Sequence, residues 1–164
     1  FERALPENAR TPENIERIRS VFVPYYNEHN TDLSRPYPGI PELLQALHRR
    51  GVQLAVASNK YQAATEKLVA YYFPEIPFVS VLGQREGVPT KPDAGIVNQS
   101  REAAQATSAE TLYVGDSNVD MQTALNAGVD AVGVTWGFRP VEELQAYRPR
   151  YIARRAADIL DFLD

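Results

Sequence analysis

The 164-residue chain has no cysteine, one methionine, one tryptophan and two histidines. Zero cysteines exclude a disulfide framework, thiolate metal ligands and a cysteine nucleophile, and they suit a reducing compartment, so the cytoplasm is the expected location. Lysine is also scarce: only Lys60, Lys67 and Lys91 stand against fourteen arginines. With 17 basic and 21 acidic residues the formal charge is −4. That balance supplies no basic field, so neither nucleic acid nor an anionic membrane is an expected partner. No apolar run approaches the roughly 20 residues of a membrane helix, and no basic-then-apolar leader opens the chain. Its first residue is Phe1 instead of methionine, which leads us to expect a truncated chain. What remains, 44% hydrophobic and 23% charged, fits one compact domain, or one domain plus a small appendage.

The pattern changes at Arg35-Pro36-Tyr37-Pro38-Gly39, taken as a boundary. Before it, Thr11-Pro12-Glu13 reads as a helix start, and Ile15, Ile18, Phe22 and Tyr25/Tyr26 recur at helical spacing, so residues 1–35 are expected to be helical. After it, short apolar runs alternate with helical stretches. Strands are expected at 52–57, 78–82, 111–114, 131–135 and 151–153, and helices at 41–50, 61–72, 93–106, 119–127, 141–147 and 156–163. Five strands separated by single helices predict an α/β fold with an open, doubly wound parallel sheet. Ligands in such sheets bind beyond the carboxyl ends of the strands, so the residues just after each strand carry the functional argument.

Three loops stand out. Ser58-Asn59-Lys60 closes the first strand with a hydroxyl, an amide and an ammonium, groups that suit an oxyanion; Ser and Asn are also ordinary helix caps. Gly115-Asp116-Ser117-Asn118-Val119-Asp120 places two carboxylates four residues apart where a helix begins. These are hard oxygen ligands suited to Mg²⁺, although Asp in a first turn also complements the helix dipole. Between them, Thr90-Lys91-Pro92-Asp93 offers a compact ammonium able to offset phosphate charge. Each signal is weak alone. Together they follow one another at strand ends, with Lys91 33 residues after Ser58 and Asp116 25 residues after Lys91.

In that order and spacing the sequence resembles the haloacid dehalogenase superfamily of phosphohydrolases over nearly its whole length. Ser58-Asn59-Lys60, Lys91-Pro92-Asp93 and the Gly115 to Asp120 run match the second, third and fourth motifs of that superfamily. Residues 119–128 and 134–139 are particularly similar to its bacterial phosphoglycolate phosphatase group. The resemblance implies an α/β Rossmannoid core with a helical cap, and a Mg²⁺-dependent hydrolase of a small phosphorylated metabolite, 2-phosphoglycolate foremost, working through an aspartyl-phosphate. It further implies that Ser58 and Asn59 hold the phosphoryl group and that Lys91 balances its charge and that of the nucleophile. Asp116, helped by Asp120, would hold Mg²⁺.

The first motif, Asp-x-Asp-Gly-Thr, does not occur in the chain. The resemblance therefore implies that the nucleophile and the first, central strand lie upstream, in roughly 50 to 80 absent residues, judged from a βα unit plus cap helices. Residues 1–35 would then be the second half of the cap and residues 36–164 the core without its first strand, with two inner strand edges exposed. Lys60 and Arg139 are candidates for a substrate carboxylate. Alternatives are a related enzyme for pyrophosphate or a sugar phosphate, a phosphomutase, or an inert binding protein of the same descent. A nucleotide-binding fold is disfavoured by the absence of any Gly-x-Gly-x-x-Gly or P-loop pattern. No oligomeric state is indicated.

Overall fold

Three short parallel ladders carry the architecture of the computed structural model, which describes residues 1 and 4–163. The chain forms two compact units, 1–35 and 36–164. In the first, a 3-10 turn at Glu7–Ala9 precedes helix α1 (Pro12–His29), capped by Thr11, whose hydroxyl accepts the Asn14 N–H at 3.3 Å. Phe22 stacks on Tyr26 at 5.3 Å along that helix. The helical expectation at residues 2 and 3 lies outside the described residues.

The second unit runs α2 (Ile40–Arg49), β1 (Leu54–Tyr61), α3 (Gln62–Tyr72), β2 (Phe78–Gln84), α4 (Gly95–Ala104), β3 (Leu112–Gly115), α5 (Asn118–Ala127), β4 (Asp130–Val134), α6 (Val141–Gln145) and β5 (Tyr151–Ala153), closing on a 3-10 helix at Ala156–Phe162. Each helix end has a local cause. Gly51 and Gly128 take positive φ of 76° and 64° after α2 and α5, where a side chain would be strained. Ser117 caps α5 by accepting the Asp120 N–H, and Asp93 accepts the Gly95 N–H at 2.7 Å to start α4. The largest departure from the sequence reading is β1, which continues through Ser58-Asn59-Lys60 to Tyr61. Tyr61 pairs with Gln84 after a register shift, and the Gln62 side chain donates to Val81 O while accepting the Gly83 N–H, so pairing with β2 outlasts the apolar run.

The strands β1–β2 form one parallel sheet and β3–β4–β5 another, with registers Ala57↔Leu82, Val114↔Val132 and Val134↔Ala153. Alternation along β4 sends side chains to two cores. On one face Ala131 joins Ile96, Met121 and Leu144; on the other Val132 joins Leu43, Leu47 and Ile159. Helices thus cover both faces, the doubly wound arrangement expected.

The edge of β1 facing away from β2 and the edge of β3 facing away from β4 have no strand partner among the described residues. Between them lies a slot of about 810 Å³, lined by Leu54, Ala55 and Ala57 of β1, Tyr113 and Val114 of β3, and Val97 of α4. Helices α2 and α4 bridge it from opposite faces: Leu43 and Leu47 pack against Leu54 and Leu112, while Ile96 and Val97 pack against Ala57 and Tyr113. The two inner edges expected from the sequence are therefore present, framed by packed helices.

Leu144 is fully buried. Leu144→Ala is expected to lower unfolding free energy by about 3 kcal/mol, whereas Leu33→Ala, at an 86% exposed position, should change it by less than about 0.5 kcal/mol; urea denaturation measures both.

Candidate active site

The carboxyl ends of β1 and β3 meet through one lysine. Lys91, on the loop between β2 and α4, exchanges two hydrogen bonds with Asn59: its N–H donates to Asn59 Oδ1 at 2.8 Å and its carbonyl accepts from Asn59 Nδ2 at 3.1 Å. Asn126 of α5 fixes the same loop, donating to Pro92 O at 2.8 Å. So held, Lys91 Nζ donates to Ala57 O at 3.2 Å and to Asp120 Oδ1 at 2.7 Å. An ammonium has three donors, and these contacts use two; the third is left for another acceptor.

Asp120 is buried, and both its oxygens are engaged. Oδ1 also accepts from the Tyr113 hydroxyl at 3.3 Å, and Oδ2 accepts from Ser117 Oγ at 2.6 Å. Burial disfavours the Asp120 anion, but the Lys91 charge and hydrogen bond, with those of Ser117 and the Asp116 backbone, outweigh it and hold the carboxyl below its ordinary range. Tyr113 moves the other way: burial first, and then the Asp120 charge, push its hydroxyl up, so it stays protonated and donates.

Asp116 lies on the turn between β3 and α5. Its Oδ2 accepts the Phe138 N–H at 3.1 Å, and its other oxygen has no partner among the described residues. The loop after β4 comes so close that a Cβ on Gly137 would fall 2.2 Å from Asp116 Cβ; on Gly115 a Cβ would fall 2.2 Å from that of Asp120. Only glycine fits either place. Ser58 Oγ accepts the Lys60 N–H at 3.1 Å, while its own O–H has no acceptor among the described residues.

Hydrogen bonds thus bring together Asn59 of β1, Lys91 of the loop after β2 and Asp120 of α5; no hydrogen bond of the Ser58 or Asp116 side chain reaches that trio among the described residues. Asn59 serves first as the clamp on Lys91, with one amide proton to spare. Lys60 lies at the end of β1, where its carbonyl accepts from Thr65 Oγ1. Arg139 lies on the loop after β4, 3.7 Å from Glu143. Sequence reasoning passed over Tyr113, Ser117, Asn126 and Gly137; the Ser117 cap and the two glycines were the signals available. Among the described residues no group of three or more His, Asp or Glu forms a metal cluster. The donor chemistry fits Mg²⁺ nevertheless, since Mg²⁺ needs only one or two protein carboxylates, and Asp116 has one hard oxygen with no partner among the described residues.

Because the folded-state value for Asp120 is depressed, its contribution to stability is complete above the unfolded value near 3.9 and is lost as pH falls through the lower folded value. Asp120→Asn should cost roughly 3 kcal/mol at neutral pH, leaving Lys91 buried without its partner, and should flatten the loss of stability below about pH 4. Thermal melts from pH 7 to pH 3 on both proteins check the two effects.

Residues 3–134 match the family model for haloacid dehalogenase-like hydrolases. Over 145 residues the chain is 34% identical to a phosphoglycolate phosphatase of Vibrio vulnificus, an alignment covering 88% of this chain and 64% of that protein. It is 24% identical over 152 residues to the pyrophosphatase PpaX of Anoxybacillus flavithermus, covering 93% and 71%. A solved structure from Lactobacillus delbrueckii subsp. bulgaricus, of a protein assigned by prediction as a phosphoglycolate phosphatase, is similar at a TM-score of 0.89 and 35% identity, covering 97% of this chain and 66% of that one. The chain spans a little under two thirds of the length of the Vibrio phosphatase it matches. The chain belongs to the haloacid dehalogenase-like hydrolase family.

Proposed function

We propose that the chain is the phosphate-handling part of a Mg²⁺-dependent phosphomonoester hydrolase for a small phosphorylated metabolite, with 2-phosphoglycolate the first candidate and the cytoplasm its place of work. The observation that supports this reading best is the Asn59–Lys91–Asp120 chain of hydrogen bonds at one end of the slot between β1 and β3. A parallel strand seated there would deliver a residue at its carboxyl end to the lysine. In this reading that residue is the aspartate nucleophile, supplied by sequence upstream of Phe1, and residues 1–35 belong to a helical cap.

The chemistry is two successive displacements at phosphorus. The aspartate oxygen forms a bond to phosphorus as the ester P–O bond breaks, and the alcohol leaves with a proton from a second upstream aspartate; water then cleaves the acyl phosphate and releases inorganic phosphate. Ser58 donates its free O–H and Asn59 its spare N–H to phosphoryl oxygens, while Lys91 gives its third proton and its charge. Asp120 positions Lys91 through the 2.7 Å hydrogen bond. Asp116, with Asp120 as second candidate, holds Mg²⁺, which when bound offsets charge on the phosphoryl oxygens. Lys60 and Arg139 are the candidates for the carboxylate of the substrate. Pyrophosphate is a second substrate reading, favoured by the likeness to PpaX.

The test compares this chain with one extended to its natural start, on p-nitrophenyl phosphate, 2-phosphoglycolate and pyrophosphate, with and without Mg²⁺. Turnover in the longer chain alone is the expected result, and inactivity of both chains would favour an inert binding protein. In the active protein Asp116→Asn should lower kcat at least about a hundredfold and raise the Mg²⁺ requirement while the fold survives, and Ser58→Ala should cost about tenfold. Unchanged Mg²⁺-dependent turnover in Asp116→Asn would remove Asp116 from the site.

A further inference from the structure

A second pocket of about 520 Å³ opens at the carboxyl ends of β4 and β5. Thr135 follows β4, Arg154 follows β5, and the segment between contributes Arg139 and Gln145, with Val141 and Ile152 as apolar wall. Two arginines therefore line one cavity, and no Asp or Glu is among its lining residues. Arg154 uses its backbone N–H on Asp158 Oδ2, while its guanidinium has no partner among the described residues. Arg139 forms an ion pair with Glu143 at 3.7 Å, too long for a hydrogen bond, so its N–H donors stay available, and its side chain is 40% exposed. The Thr135 hydroxyl and the Gln145 amide likewise show no hydrogen-bond partner among the described residues. Like charges sharing a pocket repel one another, and unspent donors around them are satisfied together by one ligand type, an oxyanion; guanidinium forks match the two oxygens of a carboxylate or phosphate.

We propose that this pocket is an oxyanion site, separate from the Ser58–Lys91 phosphoryl site, that takes a small carboxylate- or phosphate-bearing molecule. Its place gives it access to the active centre. The loop 135–140 that carries Arg139 is the one that packs Gly137 on Asp116 and donates the Phe138 N–H to it, so an anion here braces the Asp116 carboxylate. The anion has two sources, the carboxylate end of a substrate such as 2-phosphoglycolate or an independent metabolite. The proposal rests on the pocket and not on the phosphatase reading.

The test uses the full-length protein carrying Ser58→Ala, with Mg²⁺ chelated, and titrates malonate and inorganic phosphate by calorimetry at low ionic strength. Saturable binding is expected, weakened about fivefold or more by adding Arg154→Ala and only partly by adding Arg154→Lys, with melting temperature unchanged because Arg154 is exposed. In the protein with Ser58 restored, Arg154→Ala that raises KM for 2-phosphoglycolate but not for p-nitrophenyl phosphate identifies the substrate carboxylate as occupant. If KM is unchanged for both while malonate or phosphate binding weakens, the occupant is an independent anion. Equal binding of both anions with and without Arg154→Ala overturns the proposal, and it does so whether or not the enzyme turns over.

Discussion

The contact on which the rest depends is the ion pair between Lys91 and Asp120, 2.7 Å long, between side chains only 11% and 9% exposed. The two sheets share no ladder, and at their carboxyl ends they are joined through one loop: Asn59 and Ala57 of β1 and Asp120 of α5 bond Lys91, and Asn126 of α5 bonds Pro92 O. Burying two charges is costly, and the cost is offset only where geometry is good and the remaining lone pairs and protons are satisfied. Here Tyr113 and Ser117 complete the shell of Asp120, so its lone pairs are satisfied where water is scarce. The same pair that ties the loop after β2 to α5 therefore places an ammonium at one end of the slot.

Two glycines set how tightly that site is built. Gly115 lets α5 begin close enough for Asp120 to reach Lys91, and Gly137 lets the loop after β4 press on Asp116. The loop with the exposed Phe138 thus joins the Asp116 carboxylate to the arginine-lined pocket.

Ser58, Lys91 and Asp116 could be picked out in the sequence because the stop of an apolar run marks where a strand ends, and each lies at or near such a stop. The alternation of strands and helices revealed the doubly wound layers for the same local reason. The extension of β1 through Lys60 was not legible, because it rests on pairing with β2 and on the Gln62 side chain, both distant from the apolar run. Neither was the engagement of Asp120 with Lys91, 29 residues away, since two carboxylates four apart look alike whether they hold a metal or a lysine. Tyr113 is a core aromatic whose hydroxyl reaches a charge that only the fold brings near.

The central claim is that the slot between β1 and β3 seats a parallel strand that brings the nucleophile to Lys91. Backbone amide hydrogen exchange, measured on this chain and on a chain extended to its natural start, tests that claim most directly. The account predicts that the slot-facing amides of β1 and β3 exchange near intrinsic rates in the short chain and slow at least about a hundredfold in the longer one, as ladder bonds form on both edges. Equally fast exchange of those amides in both chains would contradict it.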